Sequence, residues 1–269
     1  MHIVVAAKQV LDPDGVNSYA LWGRLAVDET DRRFTIVDTV PQLINAYDEQ
    51  AMEVALRLRD AGGDCRITAV TVGHASAADV LKRCVAMGAE SAILVQDPEI
   101  DAADGFRTAA LLAAAVRRLS DVDLVLCGRQ GSDYDQGTVP AVLAELLDAA
   151  LVTLAVGVTA VEDGVHVTRV AALGEEVLEA SFPAVVTVSN EVGIPRAPTA
   201  RAMLAARRSQ PTVYQATELL PGPGRHTVEL VRLVVPEVRG QCELIEGETP
   251  AAKAEALMRR LEEIGALDG

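Results

Sequence analysis

Short, almost wholly apolar runs alternate with longer amphipathic stretches along the first half of the chain, and this alternation constrains the fold more than any other feature of the sequence. Residues 2–10, 65–73, 90–95 and 121–128 read as strands, with runs such as Ile3-Val-Val-Ala-Ala7 and Leu124-Val-Leu-Cys127. Near-continuous apolar strands of this kind are buried on both faces, as in parallel sheets. Residues 48–61, 76–87, 102–119 and 139–147 carry apolar side chains at spacings of three and four, the period of an amphipathic helix. Strands that recur through intervening helices pair in parallel. The expectation is an α/β fold, a doubly wound, mostly parallel sheet with crossover helices.

The polar stretch from residue 11 to 42 interrupts this order and reads as a hairpin with its turn at Thr30-Asp-Arg-Arg33. Beyond about residue 150 the pattern changes to strands without helices, at 151–161, 165–172, 175–181 and 184–189. Asp163-Gly164 and Leu173-Gly174 are the expected hairpin turns. A helix over 200–208 follows, then an extended stretch over 210–220 and a turn-rich joint at Pro221-Gly-Pro-Gly224. Thr249-Pro250 starts a last helix that runs to about residue 264. This tail is too small for a core of its own. The expected organisation is an α/β domain over 1–210 and an extended C-terminal arm and helix over 211–269 that docks on another chain.

Charge and composition exclude several functions. With 24 Lys and Arg against 39 Asp and Glu, the 269-residue chain carries a net charge of −15, which disfavours nucleic acid and anionic membrane surfaces. Only 3% of residues are aromatic, so a planar ligand is held mainly by backbone and aliphatic contacts. Cys65, Cys84, Cys127 and Cys242 lie far apart without a C-x-x-C pair, and the histidines are equally scattered. Reduced, mostly buried thiols in a cytoplasmic protein are expected, with no metal site. The first residues have no basic segment ahead of their apolar run, and the apolar run 109–116 is far shorter than the roughly 18 residues of a membrane span.

In open α/β sheets, ligands sit beyond the carboxyl ends of the strands, where helix amino termini attract anions. Cys127-Gly-Arg-Gln-Gly-Ser-Asp-Tyr-Asp-Gln-Gly-Thr-Val-Pro140 follows a buried strand, holds three glycines and ends with Thr138 as the expected cap of the next helix. One reading is a phosphate cradle, with Arg129 for charge, Gly131 and Gly137 for close approach, and Gln130, Ser132, Gln136 and Thr138 for hydrogen bonds. The other is an ordinary strand-to-helix loop. Asp133 and Asp135 weigh against a naked phosphate. A second loop, Gly73-His-Ala-Ser76, precedes a helix with Ser76 as cap and Asp79 three residues on, and reads more readily as structural. Neither the G-x-G-x-x-G nor the P-loop pattern is present, and no catalytic side chain can be nominated.

Several stretches in order resemble the β subunit of electron transfer flavoproteins, the FixA-like family. They are Val4-Val-Ala-Ala-Lys-Gln-Val10, Ile44-Asn-Ala-Tyr-Asp-Glu49 leading into Ala51-Met-Glu-Val-Ala-Leu-Arg57, Ala86-Met-Gly-Ala89 and Gly128-Arg-Gln130. Phe182-Pro-Ala-Val-Val-Thr187, Pro195-Arg196, Arg207-Arg208 and Leu261-Glu-Glu-Ile264 complete the series. The resemblance spans essentially the whole chain. It implies a sheet of the adenine-nucleotide-binding type and a subunit that pairs with an α subunit carrying FAD. The pair shuttles electrons between flavoprotein dehydrogenases and a quinone oxidoreductase or other acceptor. The β subunit itself holds AMP or, in an electron-bifurcating branch that oxidises NADH, a second FAD. Carried over, the nucleotide contacts are Ala6, Asn45, Ala46, Tyr47, Asp48, Val72, Cys127, Gly128, Arg129, Gln130, Gly131, Ser132, Asp133, Tyr134, Asp135, Gln136, Gly137 and Thr138. Ala103-Asp104 with Thr108 is similar to a stretch of FAD-holding members, which adds Asp104 and Thr108.

The chain also departs from the family. Its loop 131–138 is shorter, Asn45-Ala46-Tyr47 replaces an N-P-F or N-P-D turn, and Ala200 stands where an exposed Leu anchors a partner dehydrogenase. From the residues alone, a nucleotide-binding sensor module on a similar sheet is the competing reading.

Overall fold

A computed structural model describes residues 1–16, 25–28, 33–36, 40–62, 64–98, 100, 104–220, 228, 231–232, 234–235 and 242–267. A nine-stranded sheet is its centre. Four parallel strands form the middle: β1 (His2–Ala6), β6 (Arg66–Gly73), β7 (Ser91–Gln96) and β8 (Leu124–Gly128). Beside them lie β9 (Ala150–Val161), β10 (Gly164–Ala171), β11 (Gly174–Ser181), β12 (Ala184–Val188) and β13 (Thr212–Gln215). The order is β11-β10-β9-β12-β8-β1-β6-β7-β13, with only the β9-β10-β11 ribbon antiparallel. The mostly parallel, doubly wound sheet expected from the strand–helix alternation is thus present.

Burial on both faces explains the apolar strands. In β1, Ile3 and Val5 join one core with Met52 and Leu56 of α1 (Ala46–Asp60) and Leu81 of α2 (Ala78–Met87), while Val4 joins a second core on the opposite face. There it meets Leu111 and Leu112 of α3 (Gly105–Val116) and Leu143 of α4 (Thr138–Leu147). Adjacent residues of one strand point to opposite sides, so each of the three side chains is at most 1% exposed.

Several boundaries differ from those expected. The first strand does not reach residue 10, because the Lys8 N–H bonds the Asp48 carboxylate instead of a neighbouring strand. The chain turns there, and β2 (Gln9–Leu11) pairs antiparallel with β5 (Gln42–Ile44). In the polar stretch, β3 (Leu25–Asp28) and β4 (Arg33–Ile36) form an antiparallel pair; Thr30, Asp31 and Arg32 of the expected turn lie outside the described residues. The helix expected from residue 102 starts at Gly105, since the Asp104 side chain accepts the Arg107 N–H and caps it. Ser76 is not a helix cap: it sits in a 3-10 turn and donates its hydroxyl to Gln9, which leaves Ala77 ahead of α2. Thr138 is likewise not the cap of α4 but its first residue, with Gly137 before it at φ +62°.

Val161 pairs with Gly164, and Ala171 with Gly174, so the hairpin loops are Glu162-Asp163 and Ala172-Leu173, one residue earlier than expected. The helix expected over 200–208 spans α5 (Ala200–Ala206), and the extended stretch 210–220 holds only β13 before it turns into α6 (Ala216–Leu219). Strand β13 adds to the sheet edge beside β7, and the first compact unit runs from Met1 to Val234. The joint at 221–224 lies outside the described residues. The second unit, Val235–Gly269, carries α7 (Pro250–Glu263). Thr249 caps this helix by accepting the Ala252 N–H with Pro250 at its start, as its sequence foretold, and none of its residues is buried. Among the described residues no helix is long and apolar enough to cross a membrane.

Candidate functional site

The carboxyl ends of β1, β6 and β8 open onto a cavity of about 1100 Å³, mouth included, between the starts of α3 and α4. Asp48, in the first turn of α1, builds its floor. One carboxylate oxygen accepts the Lys8 N–H at 2.7 Å and the other the Gly128 N–H at 2.9 Å, which ties β1 to β8 where the two strands end. Burial pushes this carboxyl up to about 7, against the pull of those two amides and of Asn45. Asn45, 1% exposed, fixes the glycine-rich loop: its amide nitrogen donates to the Gln130 carbonyl at 2.8 Å and its oxygen accepts the Ser132 N–H at 3.2 Å.

Gly128 is sterically required here, and Gly131 sits close under two mobile side chains. A Cβ at Gly128 would lie 2.3 Å from the Asp48 oxygen and 2.6 Å from Tyr47 Cβ. A Cβ at Gly131 would lie 2.7 Å from the Asp133 carboxylate and 3.2 Å from the Lys8 side chain. The loop closes on itself through Gln130, which donates to Asp135 at 2.7 Å, and through the Asp135 N–H, which bonds the Gly131 carbonyl. Asp133 reaches back across the cavity to Lys8 Nζ at 2.7 Å, and the same ammonium lies 5.7 Å from the centre of the Tyr134 ring. On the α3 side, Thr108 donates its hydroxyl to the Asp104 carbonyl, and the fully buried Asp104 holds the helix start. Arg107 pairs with Asp97 at 2.7 Å, both mostly buried, and this fastens α3 to the end of β7.

Of the residues singled out in the sequence, Ala6, Asn45, Asp48, Val72, Thr108, Cys127, Gly128, Gln130, Gly131, Asp133, Tyr134, Gln136, Gly137 and Thr138 line this one cavity. Ala46, Tyr47, Asp104, Arg129, Ser132 and Asp135 are not among the lining residues. Ala103 lies outside the described residues. The Arg129 guanidinium points toward β12, 5.4 Å from the Tyr47 ring centre and 3.5 Å from the Ser189 hydroxyl. Sequence reasoning missed Ala7, Lys8, Gln9, Gly73, His74, Ala77, Ile100, Gly105, Leu112, Val139 and Pro140. Gly105 and Leu112 had a usable signal, being three before and four after Thr108 on one helix face. Lys8 had no such signal, because it falls inside the strand expected over 2–10. Backbone amides at the start of α4, two close-approach glycines and apolar walls from Val72, Leu112 and Val139 suit a flat, weakly polar ring with an anionic tail.

A family model described as "Electron transfer flavoprotein domain" matches residues 33–219, well over half of the chain. The chain belongs to the electron transfer flavoprotein family. Its relatives place it on the β side of that family. It is 30% identical over 268 residues to the caffeyl-CoA reductase-Etf complex subunit CarD of Acetobacterium woodii, covering 98% of each chain. It is 33% identical to the electron transfer flavoprotein subunit beta of Megasphaera elsdenii over 78% of this chain and 76% of that one. Protein FixA of Azotobacter vinelandii is 34% identical over 70% and 65% of the respective chains. The chain is thus an electron transfer flavoprotein β-type, FixA-like subunit, as the ordered motifs implied, and the matched segment contains β6 to β8, α1 to α4 and the glycine-rich loop.

Proposed function

We propose that the cavity holds an adenine nucleotide, AMP or FAD, and that the chain pairs with an α subunit carrying FAD. The pair passes electrons between flavoprotein dehydrogenases and a quinone-reductase-type or other acceptor. The observation that carries this reading is the glycine-lined cavity at the carboxyl ends of β1, β6 and β8, inside a chain of this family.

A bound flavin supplies the redox chemistry; the residues of this chain bind, orient and shield. Gly128 and Gly131 let the ligand approach the backbone, and the N–H groups of Thr138 and Val139 at the start of α4 meet its phosphate. Asn45 and Gln130 keep the loop in shape through their bonds to Ser132 and Asp135. Val72, Leu112 and Val139 exclude water from the ring. Arg129 acts on the far side of β8, with Tyr47 and Ser189, and belongs to the support of the loop rather than to its grip on phosphate. The second unit, whose α7 leaves Leu257 and Met258 exposed, is the element that docks on the α subunit.

A second reading, FAD in the cavity with NADH as electron donor and electron bifurcation, draws support from the extension of the cavity past Ile100 and along α3 through Gly105, Thr108 and Leu112. The similarity to CarD over nearly the whole of both chains supports it as well. Co-expression with an α partner, extraction and a count of nucleotides per pair separates the two. One FAD with one AMP supports the carrier, and two FAD support the second reading. A colourless chain that holds no nucleotide and pairs with no α subunit overturns both.

A further inference from the structure

Among the described residues that line the cavity Lys8 is the one Lys or Arg, and its charge is already matched by Asp133, with Nζ 2.7 Å from one carboxylate oxygen and 2.8 Å from the other. Both side chains are partly exposed toward the cavity, at 35% and 21%. The geometry around the carboxylate is built: its Oδ1 also accepts the Tyr134 N–H at 2.9 Å, and a Cβ at Gly131 would press on it from 2.7 Å. An anion that reaches Lys8 therefore comes within about 6 Å of Asp133, two hydrogen-bond lengths.

We propose that Asp133 is a specificity-determining residue that selects nucleotides by the charge of the phosphate nearest Lys8. The inference rests on the nucleotide reading given above and sharpens it. A terminal phosphate monoester carries about −1.5 to −2 charges at neutral pH. Each phosphorus of a pyrophosphate that joins two nucleosides is a diester and carries about −1. Both effects scale with the charge of the phosphate: Lys8 and the amides at the start of α4 attract the monoester more than the diester, and Asp133 repels it more. Asp133 thereby offsets the preference for a free monophosphate end that Lys8 alone would give, and leaves the site open to a dinucleotide.

The test uses the full chain, stripped of nucleotide, and isothermal titration with adenosine, FAD and AMP, which bring about zero, one and two charges to the subsite. The isosteric Asp133→Asn keeps an oxygen for the Tyr134 N–H and for Lys8. It is expected to leave adenosine affinity within about twofold, tighten FAD about threefold and tighten AMP about tenfold or more. Lys8→Gln, which removes the attraction and leaves the repulsion, is expected to weaken AMP more than FAD, and it serves where Asp133→Asn does not fold. Equal changes for all three ligands, or none, overturn the assignment of Asp133 while nucleotide binding stands. A wild-type chain that binds none of the three overturns the nucleotide reading and this inference together.

Discussion

The Asp48 carboxylate accepts the Gly128 N–H at 2.9 Å, and this single bond joins the start of α1 to the end of β8 beneath the cavity. The two residues are far apart in the sequence, and neither is polar decoration: the bond ends the strand where a ligand has to begin. Its partner bond to the Lys8 N–H does the same for β1.

Gly128→Ala is the sharpest probe of that junction. The added carbon would lie 2.3 Å from the Asp48 oxygen and 2.9 Å from the Tyr47 backbone, so α1 or β8 has to shift. A loss of about 2–3 kcal/mol is expected from urea unfolding. Unchanged stability would show that the junction is looser than the packing requires.

Stability should depend on pH through Asp48. An Asp in the unfolded chain titrates near 4, and burial raises the folded value to about 7. Between these values the folded chain keeps a proton that the unfolded chain has released. Its free energy of unfolding therefore falls as pH rises from about 4 to about 7 and levels off above, a change of a few kcal/mol at most. Asp48→Asn should flatten this slope in urea unfolding at pH 5 and pH 8; an unaltered slope would assign it to another group.

Gly131→Val and Arg129→Ala should behave oppositely. The valine side chain would run into Asp133 and Lys8 at the cavity wall, and nucleotide affinity should fall by on the order of a hundredfold. Arg129 faces Tyr47 and Ser189, so its truncation should change affinity by no more than about threefold. Equilibrium dialysis against AMP and FAD measures both, and a large loss from Arg129→Ala would return that guanidinium to the phosphate.

Glu53 holds the segment that follows β12. Its buried carboxylate accepts the backbone N–H, Nε and one terminal nitrogen of Arg196, and Nε of Arg57. Burial by itself raises the Glu53 carboxyl, and these donors outweigh it and hold it below the usual range. Glu53→Ala should cost about 2–3 kcal/mol and speed hydrogen exchange over 193–199, where Ile194 stands 91% exposed. Exchange confined to its original rate would show that the segment is held by other contacts.

Sequence alone determined the sheet. Runs such as Ile3-Val-Val-Ala-Ala7 have no polar face and must be covered on both sides, and helical periods between them leave parallel pairing as the way to connect them. The glycine-rich loop was equally legible, because its glycines follow a buried strand and precede a helix. The ordered motifs were enough to identify the family.

What tertiary structure alone decided is which way each side chain faces once distant segments meet. Arg129 and Gln130 are neighbours in the bend after β8, yet the first reaches toward Ser189 and the second lines the cavity. Lys8 looked like the middle of a strand until Asp48, forty positions on, captured its N–H and turned the chain. The Lys8–Asp133 pair spans 125 positions and leaves no local pattern. Periodicity records which faces are buried, whereas a binding site is made by polar groups brought together from separate strand ends, and only the folded chain fixes those distances.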